Sequence, residues 1–193
     1  MSRMGLDFDA IPSEFEEYFD EERSVIEVVE ELGLGKAMDV AKKNPDAIVV
    51  GSDTIIVLDN KQLGKPENAG VAKAMLRAYR NRSHQIITSV AVVCINKNYK
   101  RIASDVSSVT MDELDEEFIE KYVATGTMYD KGGSYAIQHP MVRPHIRSIS
   151  GRIDTIVGLP THIVAEFLKD FDIESNTVDL SNDDLLNDKG LYE

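Results

Sequence analysis

Asp53 interrupts an apolar, β-branched run, Ile48-Val49-Val50-Gly51-Ser52-Asp53-Thr54-Ile55-Ile56-Val57-Leu58, that reads as a mostly buried strand. A carboxylate in such a strand costs free energy unless a cation or a metal pairs with it. Further along, Gly64-Lys65-Pro66 sets a lysine on a turn stiffened by proline. An acid and a lysine, each on a rigid element, are what metal-assisted chemistry on a phosphate requires. Taken singly, each has a plainer reading. Asp53 can be a strand-end acid paired with a lysine, and Lys65 an ordinary turn lysine. Lys36 is uninformative by itself, and Glu17 sits in an acidic run, Glu14-Phe15-Glu16-Glu17, of the kind that usually forms a solvated face.

A second group lies in Tyr129-Asp130-Lys131-Gly132-Gly133-Ser134-Tyr135-Ala136-Ile137-Gln138. A charged pair followed by two glycines permits close backbone approach to a ligand. The strand expected after it presents Gln138, whose amide both donates and accepts and so suits a base edge. The alternative is an ordinary glycine turn. Of the four histidines, His139 and His145 bound a stretch with two prolines and no nearby cysteine or acid, which reads as a loop, and His84 and His162 read as strand-start and helix-face residues.

These residues need elements to hold them. Residues 1–20 are loop-like and acidic, with Leu6 to Ile11 alternating as a short strand would. Apolar spacing at Val25, Val28, Val29 and Leu32 predicts a helix from Asp20 to Lys43, weakened in its middle by Gly33 and Gly35. A strand follows over Ala47–Leu58, reversed at Asp59-Asn60-Lys61, and then a helix over Ala69–Arg80. His84–Ile95 and Tyr99–Met111 predict a long hairpin across Asn96-Lys97-Asn98. Asp112 to Asp115 open a helix running to about Ala124, closed by Gly126. Short strands are expected around Ser134–Ile137 and Ile153–Val157, and a last helix after Pro160. The order is mixed α/β.

Across the motifs, the chain resembles the Maf family of nucleoside triphosphate pyrophosphatases, also named septum-formation inhibitors. The resemblance runs from about Met4 to Leu168 on ordered blocks: Ile11-Pro12-Ser13 with Glu17, Gly35-Lys36-Ala37, Gly51-Ser52-Asp53-Thr54, Gly64-Lys65-Pro66, His84 with Thr88, Asp130-Lys131-Gly132-Gly133, Gln138, and Val157-Gly158-Leu159-Pro160. It implies a mixed α/β fold with a long twisted sheet flanked by helices and two lobes around a central cleft. It implies one such domain over residues 1–171, followed by an acidic tail over 172–193. The implied reaction is hydrolysis of a nucleoside triphosphate to the monophosphate and pyrophosphate, with a divalent metal, Mg2+ or Mn2+. In that picture Asp53 is the general base, Glu17 a second acid beside the metal, and Lys36 and Lys65 grip the phosphates. Asp130 and Lys131 line the same cleft, and Thr54 and Gln138 match positions associated with base choice in the subgroup acting on dTTP and UTP. A homodimer is compatible with the resemblance.

Two departures sit near the base-reading segment, Gly132 where alanine is usual and His139 where glycine is usual. A third lies at the start. Family members carry a first strand and a Ser-x-Ser-Pro-Arg-Arg loop, and this chain begins at Met1-Ser2-Arg3. That element is expected to be missing, leaving a neighbouring strand with an unpaired edge. The alternative function, of a different class, is a catalytically impaired nucleotide-binding protein with a regulatory role in cell division.

Composition bounds the rest. With 193 residues and 42% hydrophobic content, the chain can bury a sizeable core without staples. A net charge of −13 argues against nucleic-acid binding, which wants a basic face. It also requires any anionic ligand to be held by local cations or metal. No apolar run approaches the roughly 18 residues of a membrane span, and no signal peptide is recognisable. The single cysteine, Cys94, lies in an apolar run, which excludes a disulfide framework and fits a reducing cytoplasm.

Overall fold

The computed structural model describes residues 1–18, 20 and 22–176. Five strands, β1 (Val49–Leu58), β2 (Lys61–Leu63), β3 (Ser83–Cys94), β4 (Tyr99–Met111) and β5 (Ile146–Ser150), form one antiparallel sheet in the order β2-β1-β3-β4-β5. β3 takes the centre because its residues from Ile86 to Cys94 are all buried, on both faces of the pleat. The hairpin from β1 to β2 turns through Asp59 and Asn60, both at positive φ (53° and 62°), a turn geometry whose twist matches that of the strands. β2 pairs only with Ile56, Val57 and Leu58, so among the described residues it leaves the first part of β1 uncovered on that side. The helices are α1 (Val25–Lys43), α2 (Ala69–Ala78), α3 (Glu116–Ala124), α4 (Ile153–Ile156) and α5 (Thr161–Leu168). The mixed α/β fold expected from the sequence is therefore observed.

The chain divides into two compact units. One comprises Met1–Thr54, Ile87–Asp105 and the described residues from Gly158 onward; the other comprises Ile55–Ile86 and Val106–Val157. In the first unit, Val90 and Val92 of β3 pack with Met4 and with Ile163, Val164, Phe167 and Leu168 of α5. Ala91 and Val93, on the opposite face of β3, pack with Ala37 and Ala41 of α1. Cys94 is a buried free thiol there, as its apolar run implies. In the second unit, Leu76 and Tyr79 pack with Ile86, Met111, and Ile119 and Tyr122 of α3. Asn68 caps α2 by accepting from Val71 N (3.0 Å), and Asp115 caps α3 by accepting from Phe118 N (2.7 Å).

Four local expectations are corrected. Leu6–Ile11 is not a strand: it alternates in sequence, but no ladder partner lies beside it among the described residues, and Phe8 and Ile11 stay exposed. The first long helix starts at Val25 rather than Asp20. Ser134–Ile137 is not a strand either, because Gly133 and Ser134 adopt consecutive positive φ values of 66° and 68°. Gln138 therefore sits on a turn. Ile153–Ile156 is a helical turn, and the strand of that region is β5, whose Ile149 pairs with Val109 of β4. Its Ile-Arg-Ser-Ile-Ser sequence, with isoleucines three apart, lacks the period of two that would mark a strand. The acidic tail expected over 172–193 falls outside the described residues from 177 on.

Candidate active site

Lys36 is the centre of the charged cluster in the first unit. Its Nζ donates to Asp53 Oδ1 at 2.5 Å and to Glu17 Oε1 at 2.6 Å. The Asp53 side chain is 9% exposed and that of Lys36 is 23% exposed, so the pair is partly desolvated and interacts more strongly than a surface pair would. Burial works against the ammonium, but the hydrogen bonds to Asp53 and Glu17 outweigh it and lift Lys36 above the usual lysine range. Lys36, on the helix, is thus a cation for Asp53; Lys65 lies in the second unit.

Close backbone approach makes this pairing possible. A Cβ added at Gly51 of β1 would lie 2.7 Å from both Ala37 N and Gly33 O of α1. A Cβ at Gly33 would strike Ser89 Oγ, which donates to Val29 O at 2.6 Å. Gly33, one of the glycines that weaken the sequence reading of α1, and Gly51 of β1 therefore let the helix lie close to the sheet, with Lys36 within reach of Asp53.

Glu17 comes from the irregular segment before α1, which side chains fasten to that helix. Asp39 Oδ2 accepts from Glu14 N (2.8 Å) and from Ser13 Oγ (3.2 Å). The Glu14 backbone N–H is the main reason the Asp39 carboxyl is held below its ordinary range, with Lys43 and Ser13 adding to it. Phe15 packs over Gly35, where any side chain would collide with its ring. Asp39 and Phe15 escaped sequence reasoning, although Asp39 lies one helical turn from Lys36 and Ser13 stands in the Ile11-Pro12-Ser13 block.

Beside Asp53, Thr54 Oγ1 shares a hydrogen bond with the buried Thr88 Oγ1 at 2.9 Å. Ser52 Oγ lies 2.6 Å from Ser89 O and 2.8 Å from Gly158 O, anchoring the preceding residue of β1. A groove of about 830 Å³ opens in this unit, lined among others by Phe8, Ile11, Lys36, Val50, Ser52 and Leu159. That volume is in the range of small-molecule sites.

The second unit gathers the remaining sequence candidates. Lys131 Nζ bonds Asp130 Oδ2 at 2.8 Å, and this bond, with smaller contributions from the charges of Lys131 and Lys65, holds Asp130 below its usual range. Gly133 N donates to Gly64 O at 3.0 Å, so the turn before Lys65 is tied to the loop that carries Asp130 and Lys131. Gly133 itself is packed against protein rather than opened to a ligand: a Cβ there would sit 2.6 Å from Tyr79 Oη and 2.7 Å from Ile56 Cδ1. Gln138 is half-buried on the turn that follows.

No group of three or more His, Cys, Asp or Glu side chains converges as a metal cage among the described residues. Glu17 and Asp53 instead meet at one cationic point. Two carboxylates completed by phosphate oxygens and water form a recurrent Mg2+ site, so these two residues fit a divalent ion arriving with a polyphosphate.

A lysine set between two carboxylates, on a mixed α/β scaffold, suits phosphate chemistry. The chain belongs to the Maf family: the family model described as Maf-like protein matches residues 1–171. Similar curated proteins include the dTTP/UTP pyrophosphatase of Shouchella clausii (strain KSM-K16), 41% identical over 165 residues that span 86% of this chain and 85% of that protein. Another is the dTTP/UTP pyrophosphatase of Syntrophus aciditrophicus (strain SB), 37% identical over 86% of this chain and 81% of its own length. A third, from Desulforamulus reducens (strain ATCC BAA-1160 / DSM 100696 / MI-1), carries the same name and is 36% identical over 90% of this chain and 91% of that protein.

Proposed function

We propose that this protein hydrolyses a nucleoside triphosphate, dTTP or UTP, to the monophosphate and pyrophosphate. The observation that carries the reading is the Glu17–Lys36–Asp53 cluster, taken with the names of the relatives. A polyphosphate competes with Asp53 for the Lys36 ammonium. With Lys36 turned to phosphate, Asp53 accepts a proton from a water molecule and aims that water at phosphorus. Glu17 and Asp53 would hold a divalent ion, which when bound neutralises the polyphosphate and polarises it for attack. Lys65 adds a second cation for the phosphates, with Asp130 and Lys131 on the neighbouring loop. Thr54, oriented by Thr88, and Gln138 bear on the choice of base.

The negative charge of the chain makes these local cations necessary for an anionic substrate. No helix among the described residues is long and apolar enough to cross a membrane, and a cytoplasmic nucleotide pool is the proposed setting. The test is pyrophosphate release from dTTP and UTP with Mg2+ or Mn2+, comparing the wild type with Asp53→Asn. The wild type is expected to turn over and the variant to lose at least about a hundredfold in rate. Equal rates would sink the assignment of Asp53. No release by either protein, with nucleotide still bound, would make this a binding protein.

A further inference from the structure

We propose that Tyr79 is a positioning residue for Lys65, acting through Gly133. The inference rests on the reading above that Lys65 grips the substrate phosphates. Tyr79 is fully buried, and a phenol hydroxyl in such a place is costly unless it is hydrogen-bonded. It donates to Gly133 O at 3.0 Å. The N–H of the same glycine donates to Gly64 O at 3.0 Å, and Gly64 is the residue before Lys65. One short path of two hydrogen bonds therefore joins a core side chain to the lysine turn.

Both ends of that path are held. The Tyr79 ring stacks at 36° on His84, centroids 4.3 Å apart, and meets Tyr135 edge-on at 5.6 Å. His84 Nε2 and Tyr135 Oη are 2.5 Å apart, closing a triangle of three rings. This triangle sets where the Tyr79 hydroxyl points. On the loop side, Gly133 and Ser134 both adopt positive φ, a conformation costly for serine. Tyr79 Oη and Ile56 leave no room for a side chain at Gly133. A phenylalanine would fill the same core volume, so the hydroxyl serves the loop. Without it the Gly133 carbonyl is left unpaired in the interior, the turn relaxes, and Lys65 loses its fixed aim.

The experiment measures binding of α,β-methylene-dTTP by calorimetry, for the wild type, Tyr79→Phe, Lys65→Ala and the double variant. Amide exchange at Gly133 and thermal melting are followed on the same proteins, and dTTP turnover separately. Tyr79→Phe is expected to weaken binding roughly five- to tenfold, to speed exchange at Gly133, and to have no further effect in the Lys65→Ala background. In turnover the loss is expected in KM, with kcat nearly retained. Gly133→Ala, which presses on the same hydroxyl from the loop side, is expected to weaken binding in the same sense. A lowered melting temperature with unchanged binding overturns the inference and leaves Tyr79 as a core residue. So does an equal loss in both lysine backgrounds. Failure of the wild type to bind the analogue overturns this inference together with the proposed function. Binding without turnover overturns only the hydrolytic activity, and the binding ratios then decide the role of Tyr79.

Discussion

Two carboxylates, Glu17 and Asp53, share the single charge of Lys36. Replacing that lysine with methionine removes a cation from the partly buried Asp53. Lys36→Met is expected to lower the unfolding free energy by roughly 1–3 kcal/mol, less than for a fully buried pair because the lysine is partly solvated. Adding Asp53→Asn should restore part of the loss, since the carboxylate that loses this cation is then neutral. Urea denaturation of the two single variants and the double measures this, and simple additivity would show that the pair is not coupled. The same residues looked ordinary in isolation. Glu17 stood in an acidic run and Lys36 in a helix, and nothing in their local sequence says that they meet.

At the scale of elements, the contact of α1 with β1 decides whether Lys36 reaches Asp53. Gly51 is where the two backbones come closest, with Ala37 N and Gly33 O at 2.7 Å from the place of a Cβ. Gly51→Ala is expected to push α1 outward, costing about 1–3 kcal/mol as an overpacked contact. It should also reduce turnover by separating Lys36 from Asp53. Thermal melting and pyrophosphate release together check this, and a variant as stable and active as the wild type would show that the helix tolerates the shift. Element existence was mostly legible: β1, α2, the β3–β4 hairpin, α3 and α5 follow the periodicities and caps of the sequence. The failures fall where periodicity is short or backbone conformation overrides it. Leu6–Ile11 alternates without a partner strand among the described residues, Ser134 is forced to positive φ, and Ile153–Ile156, Ile-Asp-Thr-Ile, is too short for its period to separate helix from strand.

For folding of the whole chain, His84 is the group with the clearest pH signature. Burial lowers it from 6.5 to about 4, among the rings of Tyr79 and Tyr135, and its Nδ1 has no hydrogen-bond partner among the described residues. The folded protein therefore resists protonating a histidine that the unfolded chain protonates below its ordinary pKa. Its contribution is fully present above pH 6.5 and is lost as pH falls from there to about 4. The loss is on the order of 3 kcal/mol, from a shift of about two and a half pKa units. Urea midpoints across that range should decline more steeply for the wild type than for His84→Gln, which has no titrating ring. Parallel curves would show that carboxylates alone set the acid limit.

The sequence by itself determined the family, the mixed α/β class, most elements, and the residue types a phosphate site needs, because buried periodicity and ordered motifs are local properties of the chain. Only the tertiary structure decided that Lys36 pairs with Asp53, that Asp39 and Phe15 fasten the segment bearing Glu17, and that Gly133 is closed by Tyr79 rather than opened to a ligand. These are contacts between residues far apart in sequence, set by how closely a helix or loop can approach its neighbour. Asp53, which as a sequence feature merely required a partner, has one in Lys36 because Gly51 and Gly33 carry no side chains.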